Sequence, residues 1–165
     1  MRASPEPFVV RAAQPADLVL VGDVVVAAYL NDLTVSAGYV EHLRDAATRA
    51  REAVLLVAVD GVVVLGSVTY ALGGTPLAQR AGADEAELRM LGVAPAARGR
   101  GVATALVREC IDRARRDGAR RIVLSTQHEM LTAQRLYQRL GFARRPDLDW
   151  VPEPGVTLLG YALVL

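Results

Sequence analysis

The chain is poor in the residues that carry metal and redox chemistry. Cys110 is the single cysteine among 165 residues, so no intrachain disulfide can form. It lies between Val107 and Ala114 in an apolar helical pattern, where packing is its expected role, not nucleophilic attack. The two histidines, His42 and His128, are far apart and belong to no HExxH pattern, so no metal site is expected. The net charge of +1 offers no global field to attract nucleic acid. No apolar run reaches the ~18 residues of a membrane span. The opening Met1-Arg2-Ala3-Ser4-Pro5 has no apolar core of the kind a signal peptide needs. The expectation is a cytoplasmic protein with no membrane or nucleic-acid partner; a homodimer is left open.

Hydrophobic residues make up 52% of the chain, which excludes disorder as a class. The length suits one domain over residues 1–165, with 1–7 as a loose tail. A chain of this size buries roughly 70% of its unfolded surface. Phe8 to Arg11 reads as a strand. Pro15-Ala16-Asp17 opens a helical pattern to about Tyr29, and Gly38 to Ala50 reads as a second, amphipathic helix. Asp60-Gly61 joins strands Val54 to Val59 and Val62 to Tyr70 in a hairpin. A Gly- and Ala-rich loop, Gly73 to Asp84, leads to a strand from Glu87 to Val93. A long helix runs from Gly99 to Asp117 and stops at Gly118. A strand, Arg121 to Thr126, is followed by a helix from Met130 to Leu140. Phe142 opens another segment, a Pro-rich loop spans Pro146 to Pro154, and a final strand covers Val156 to Leu165. The order is β–α–α–β–β–β–α–β–α–β–β. Glu87 to Thr126 is a strand–helix–strand unit and implies a parallel crossover, whereas the hairpin before it is antiparallel. The expected class is therefore α/β, a mixed sheet with helices on both faces.

The segment from Val93 to Ala103 joins a strand to a helix. Helix N-termini present unpaired N–H groups and partial positive charge, so they attract phosphate. Gly99 and Gly101 leave those groups open to an anion. Arg98 and Arg100 add charge and forked donors. The wider stretch from Arg98 to Arg121 carries eight arginines against three acids, a local basic region suited to a polyanionic small ligand. A dinucleotide fingerprint fails, because Thr104 stands at the third glycine position. The P-loop pattern is absent.

Arg98-x-x-Gly101-x-Ala103 resembles the R/Q-x-x-G-x-G/A pyrophosphate motif of the Gcn5-related N-acetyltransferases. Ala133-Gln134-Arg135-Leu136-Tyr137-Gln138-Arg139-Leu140-Gly141-Phe142 resembles that family's late helix, A-x-x-L-Y-x-x-L-G-F. The likeness covers about Leu88 to Phe142; the N-terminal third agrees in element order alone. Met130 stands where many members have Asn, so a contact to the pantetheine arm is missing or supplied otherwise.

The resemblance implies a three-layer fold with a mostly antiparallel mixed sheet. It implies acetyl-CoA as co-substrate, no metal, and transfer of acetyl to a primary amine of a small molecule or a peptide by direct attack. Arg98, Gly99, Arg100, Gly101, Val102 and Ala103 would hold the pyrophosphate. Backbone groups of Leu91, Gly92 and Val93 would meet the pantetheine arm and the thioester carbonyl, where preorganised donors stabilise an oxyanion. Tyr137 falls on the general-acid position; a phenol of pKa near ~10 can protonate a departing thiolate. A core tyrosine is the plainer alternative. Glu87 shares a strand face with Arg89 and Leu91 by alternation and is the candidate base, with Glu85 as substitute. The acceptor wall would include Tyr29, Glu85 and Trp150, among acids and aromatics that suit a cationic amine. The rival function is a degenerate domain that binds acyl-CoA without transferring it.

Overall fold

The computed structural model describes residues 7–165. All of the expected tail except Pro7 falls outside the described residues. Among the described residues, five α-helices accompany an eight-stranded, mostly antiparallel sheet, in the order β1-β2-β3-β4-β5-β8-β6 with β7 on β8. The strands are β1 Val9–Ala12, β2 Val54–Asp60, β3 Val63–Leu72, β4 Glu85–Val93, β5 Arg121–Gln127, β6 Ala143–Arg144, β7 Trp150–Glu153 and β8 Val156–Val164. The helices are α1 Leu18–Asp32, α2 Ala37–Arg44, α3 Ala46–Glu52, α4 Val102–Arg116 and α5 Leu131–Arg139. Among the described residues no helix is long and apolar enough to cross a membrane. The chain divides into two compact units, one of residues up to Thr69 with Met90–Glu109, the other of Tyr70–Arg89 with Cys110–Leu165.

In the first unit β1 pairs antiparallel with β2, from Val9↔Val59 to Ala12↔Leu56. Gly61, at φ 59°, closes the β2–β3 turn as the Asp-Gly pair requires. Valines 21, 25 and 26 of α1 pack with Leu43, Ala46, Leu55, Val57 and Met90. α1 forms despite its valines because burial outweighs a weak local preference. The expected helix from 38 to 50 is in fact two. Asp45 leaves the helical region and its carboxylate accepts the Thr48 N–H at 3.1 Å, capping α3. Arg49 donates to the carbonyls of His42 at 2.6 Å and Leu43 at 2.9 Å, which satisfies the end of α2.

In the second unit β5 pairs parallel with β4, Glu85↔Arg121 to Leu88↔Leu124, and antiparallel with β8, Arg121↔Val164 to Gln127↔Leu158. β4 thus begins at Glu85, two residues before its expected start, because Glu85 finds a partner on β5. The β4–β5 ladder ends at Leu88↔Leu124, while β5 runs on to Gln127 against β8. β7 appears inside the expected Pro-rich loop. Its pairs are Trp150↔Leu158 and Glu153↔Val156 with an irregular register between them, the setting in which an edge strand tolerates Pro152. The buried Tyr70 donates its hydroxyl to Asp117 at 2.7 Å. Cys110 is wholly buried.

Candidate active site

Strand β4 ends at Val93, and a short 3-10 turn, Pro95–Ala97, leads to the glycine segment. The Ala94 N–H bonds to the Leu65 carbonyl at 2.8 Å and ties the segment to β3. Gly99 and Gly101 adopt φ 81° and 82°, the left-handed region that costs other residues roughly 1–2 kcal/mol. A Cβ at either would meet nothing within 4 Å, so backbone conformation, not crowding, demands glycine here. The Ala105 N–H bonds to the Gly101 carbonyl at 3.0 Å. The N–H groups of Val102, Ala103 and Thr104 precede that bond at the head of a 15-residue helix, an anion-binding arrangement.

The arginines of this turn are held by carboxylates. Arg98 forms a forked pair with Asp32, at 3.1 and 2.8 Å, and Arg100 reaches Asp60 at 3.2 Å. The Arg98 guanidinium keeps the Asp32 carboxyl below its ordinary pKa. A phosphate taken by Arg98 must compete with Asp32. A half-exposed pair is worth at most about 1 kcal/mol, so Asp32→Asn should tighten acetyl-CoA binding by roughly two- to fivefold. Calorimetry measures this directly; weakened binding would show that Asp32 orients Arg98 more than it competes for it.

β4 does not continue as a regular strand. Met90 adopts φ 52°, which interrupts the pleat. Alternation therefore cannot be carried across it, and Leu91 is not bound to share the face of Glu87 and Arg89 as expected. Beyond Met90, Gly92 lies under α1: a Cβ there would stand 3.2 Å from Val25 Cα.

Tyr137 lies on α5, 4% exposed, with its ring against Phe142 at 5.8 Å and Tyr161 at 6.4 Å between centroids. Burial, with Cys110 adding a little, pushes its phenol well above the ordinary value. Met130, at the position of the family's Asn, receives the Thr126 hydroxyl on its sulfur at 3.6 Å. The Gln134 amide donates to the carbonyls of Gln127 and His128, both at 3.1 Å, and fixes the β5–α5 connection.

The carboxylates expected near the acceptor are largely occupied. Glu87 is 2% exposed and accepts the N–H groups of Gln79 at 2.5 Å and Arg80 at 2.7 Å. Burial raises its pKa, and those two N–H groups oppose the rise. Glu85 is buried, takes the Gly82 N–H at 2.7 Å, and pairs with Arg121 and Arg120. Asp84 pairs with Arg120 at 2.6 Å. The expected attraction of this acidic cluster for a cation is thus largely neutralised by arginines from the α4–β5 turn and β5. Trp150 donates from Nε1 to Ser125 Oγ at 3.2 Å. Tyr29 lies against Tyr39, centroids 6.1 Å apart, in the first unit.

A family model, the acetyltransferase (GNAT) family, matches residues 26–142 and so spans most of the chain and both units. The chain belongs to the GNAT acetyltransferase family. Solved structures agree. A GCN5-related N-acetyltransferase from Kribbella flavida is 31% identical, with 98% of this chain and 100% of that one covered and a TM-score of 0.66. The protein yncA from Salmonella typhimurium, solved with its cofactor acetyl-CoA, is 25% identical over 96% of this chain and 94% of that one, TM-score 0.67. PaiA N-acetyltransferase from Thermoplasma acidophilum, in complex with coenzyme A, shares the fold at 14% identity, with 93% and 98% covered and a TM-score of 0.72. Among proteins of curated function none matches.

Several residues that shape this acetyltransferase carry no signal in the sequence. Gly66 of β3 is one: a Cβ there would stand 2.9 Å from the Gly92 carbonyl oxygen and 3.0 Å from Val102 Cγ1. Its missing side chain lets the end of β4 and the first residue of α4 approach the same point of β3. Arg80 and Arg89 are others. The Arg80 guanidinium sits 5.6 Å from the centre of the Trp150 ring, and Arg89 donates to the Leu77 carbonyl at 3.0 Å.

Proposed function

We infer that this acetyltransferase moves acetyl from acetyl-CoA to a primary amine by direct attack. The observation that carries the reading is the glycine turn, with two left-handed glycines at the head of α4, in a chain of this family. Arg98 to Ala103 would bind the pyrophosphate. Leu91, Gly92 and Val93 would offer backbone groups to the pantetheine arm and the thioester oxygen. As the amine attacks the carbonyl carbon, the C–S bond breaks and the departing thiolate takes a proton from the Tyr137 hydroxyl. The raised pKa of Tyr137 keeps the phenol protonated over the whole working range, at the cost of a lower intrinsic acidity.

Glu87 is the proposed base, taking the amine proton directly or through a water. Its raised pKa makes it a stronger proton acceptor than an ordinary carboxylate. The active form is the ionised one, so rate should climb with pH through a range above that of an exposed carboxyl. The deciding experiment is thiol release from acetyl-CoA with a panel of amines, run beside calorimetry of acetyl-CoA. Tight binding with no thiol release for any amine would make the protein an acyl-CoA sensor. Glu87→Gln should lower transfer more than it weakens acetyl-CoA binding. A matched loss of both would confine Glu87 to holding the 73–84 loop.

A further inference from the structure

Arginines of the second unit and the glycine turn that are paired with carboxylates include Arg98, Arg100, Arg115, Arg120, Arg121, Arg144 and Arg145. Arg80 and Arg89 are different. Among the described residues neither forms an ion pair, and the Arg80 Nε is buried without a hydrogen-bond partner. An unpaired buried donor on a charged group costs stability. Arg80 is nonetheless held in place. Its own N–H bonds to Glu87 Oε1 at 2.7 Å, and its guanidinium lies 5.6 Å from the centre of the Trp150 ring. Trp150 is in turn fixed by its bond to Ser125. Cation–π contact stabilises the guanidinium through the ring face and leaves its fork of N–H groups available for a planar oxyanion. The place is specific: Ser125 is the first β5 residue beyond the end of the β4–β5 ladder. The local negative charge there, Glu87, is already bonded to two backbone N–H groups.

We propose that Arg80, on its Trp150 platform, is the anchor for a carboxylate borne by the acceptor, so that the substrate is an amino acid rather than a simple cationic amine. This rests on the acetyltransferase reading above and names its substrate class. The amine would lie towards Glu87 and the carboxylate would take the Arg80 fork. Selection against the uncharged analogue follows, because an amide in the same place leaves the guanidinium without a counter-charge.

Trp150 is the only tryptophan in the chain, so its fluorescence reports this site alone. The test titrates the coenzyme A-loaded protein with a panel of α-, β- and ω-amino acids and with the matching carboxamides. At least one amino acid should change the emission saturably, at a concentration roughly tenfold or more below that of its carboxamide. Arg80→Gln should erase that preference, and Arg80→Lys should keep part of it. Thiol release should follow the same order, although carboxamides have the less basic, more readily neutral amine. The proposal is overturned if no amino acid perturbs Trp150, if carboxamides match the acids, or if Arg80→Gln leaves the preference unchanged. Calorimetry of acetyl-CoA on the same samples separates this from failure of the acetyltransferase reading, which would abolish cofactor binding whatever Trp150 shows.

Discussion

Gly101→Glu should abolish acetyl-CoA binding, with a loss of roughly 10²-fold or more, since each 1.4 kcal/mol is a factor of ten. Two effects add. Gly101 sits at φ 82°, where any side chain costs roughly 1–2 kcal/mol of backbone strain. The turn then either stays strained or relaxes and turns its N–H groups away. The new carboxylate also stands at the anion-binding end of α4 and repels a polyphosphate. Open space around that position predicts that the folded protein survives, so thermal denaturation should change far less than affinity. Gly101→Ala isolates the strain and should fall between the two. Unchanged affinity by calorimetry in the Glu variant would remove the pyrophosphate from this turn.

Tyr137→Phe should leave coenzyme A binding near its original value and slow transfer by roughly 10²-fold, the lower end for general acid catalysis. Phenylalanine keeps the ring contacts with Phe142 and Tyr161, so stability should hardly move and the rate reads the hydroxyl itself. The pH profile adds a second readout. Tyr137 must be protonated to act, and its pKa lies above the ordinary 10.0. The rate of the unaltered enzyme should therefore show no fall from this group as pH rises to 10. An undiminished turnover number in the Phe variant, with chemistry limiting, would leave Tyr137 as a packing residue.

Local signals were sufficient for the glycine turns and for the β4–α4–β5 run. Gly61 and the two glycines of the turn adopt positive φ, and such positions are legible because only glycine takes them cheaply. The β4–α4–β5 order was legible as a strand–helix–strand run, and the two strands do pair in parallel. The family followed from short motifs whose spacing is fixed by one helix and one turn.

What the sequence could not decide depends on partners distant in the chain. A carboxylate looks the same in sequence whether it faces solvent or a backbone. Only the fold sets Glu87 against the N–H groups of the loop before it, and Glu85 against Arg121. An acidic cluster that promised attraction for a cation is thereby neutralised. Arg80, inconspicuous in a Gly- and Ala-rich loop, is set over Trp150, 70 residues further along. The split of the second helix turned on one side-chain cap at Asp45, worth about 1 kcal/mol, too small to outweigh an amphipathic pattern in a linear reading. Conformation forced on a glycine is a property of the residue and its neighbours, and the sequence determined it. Charge depends on what the fold brings within a few ångströms, and that the tertiary structure alone decided.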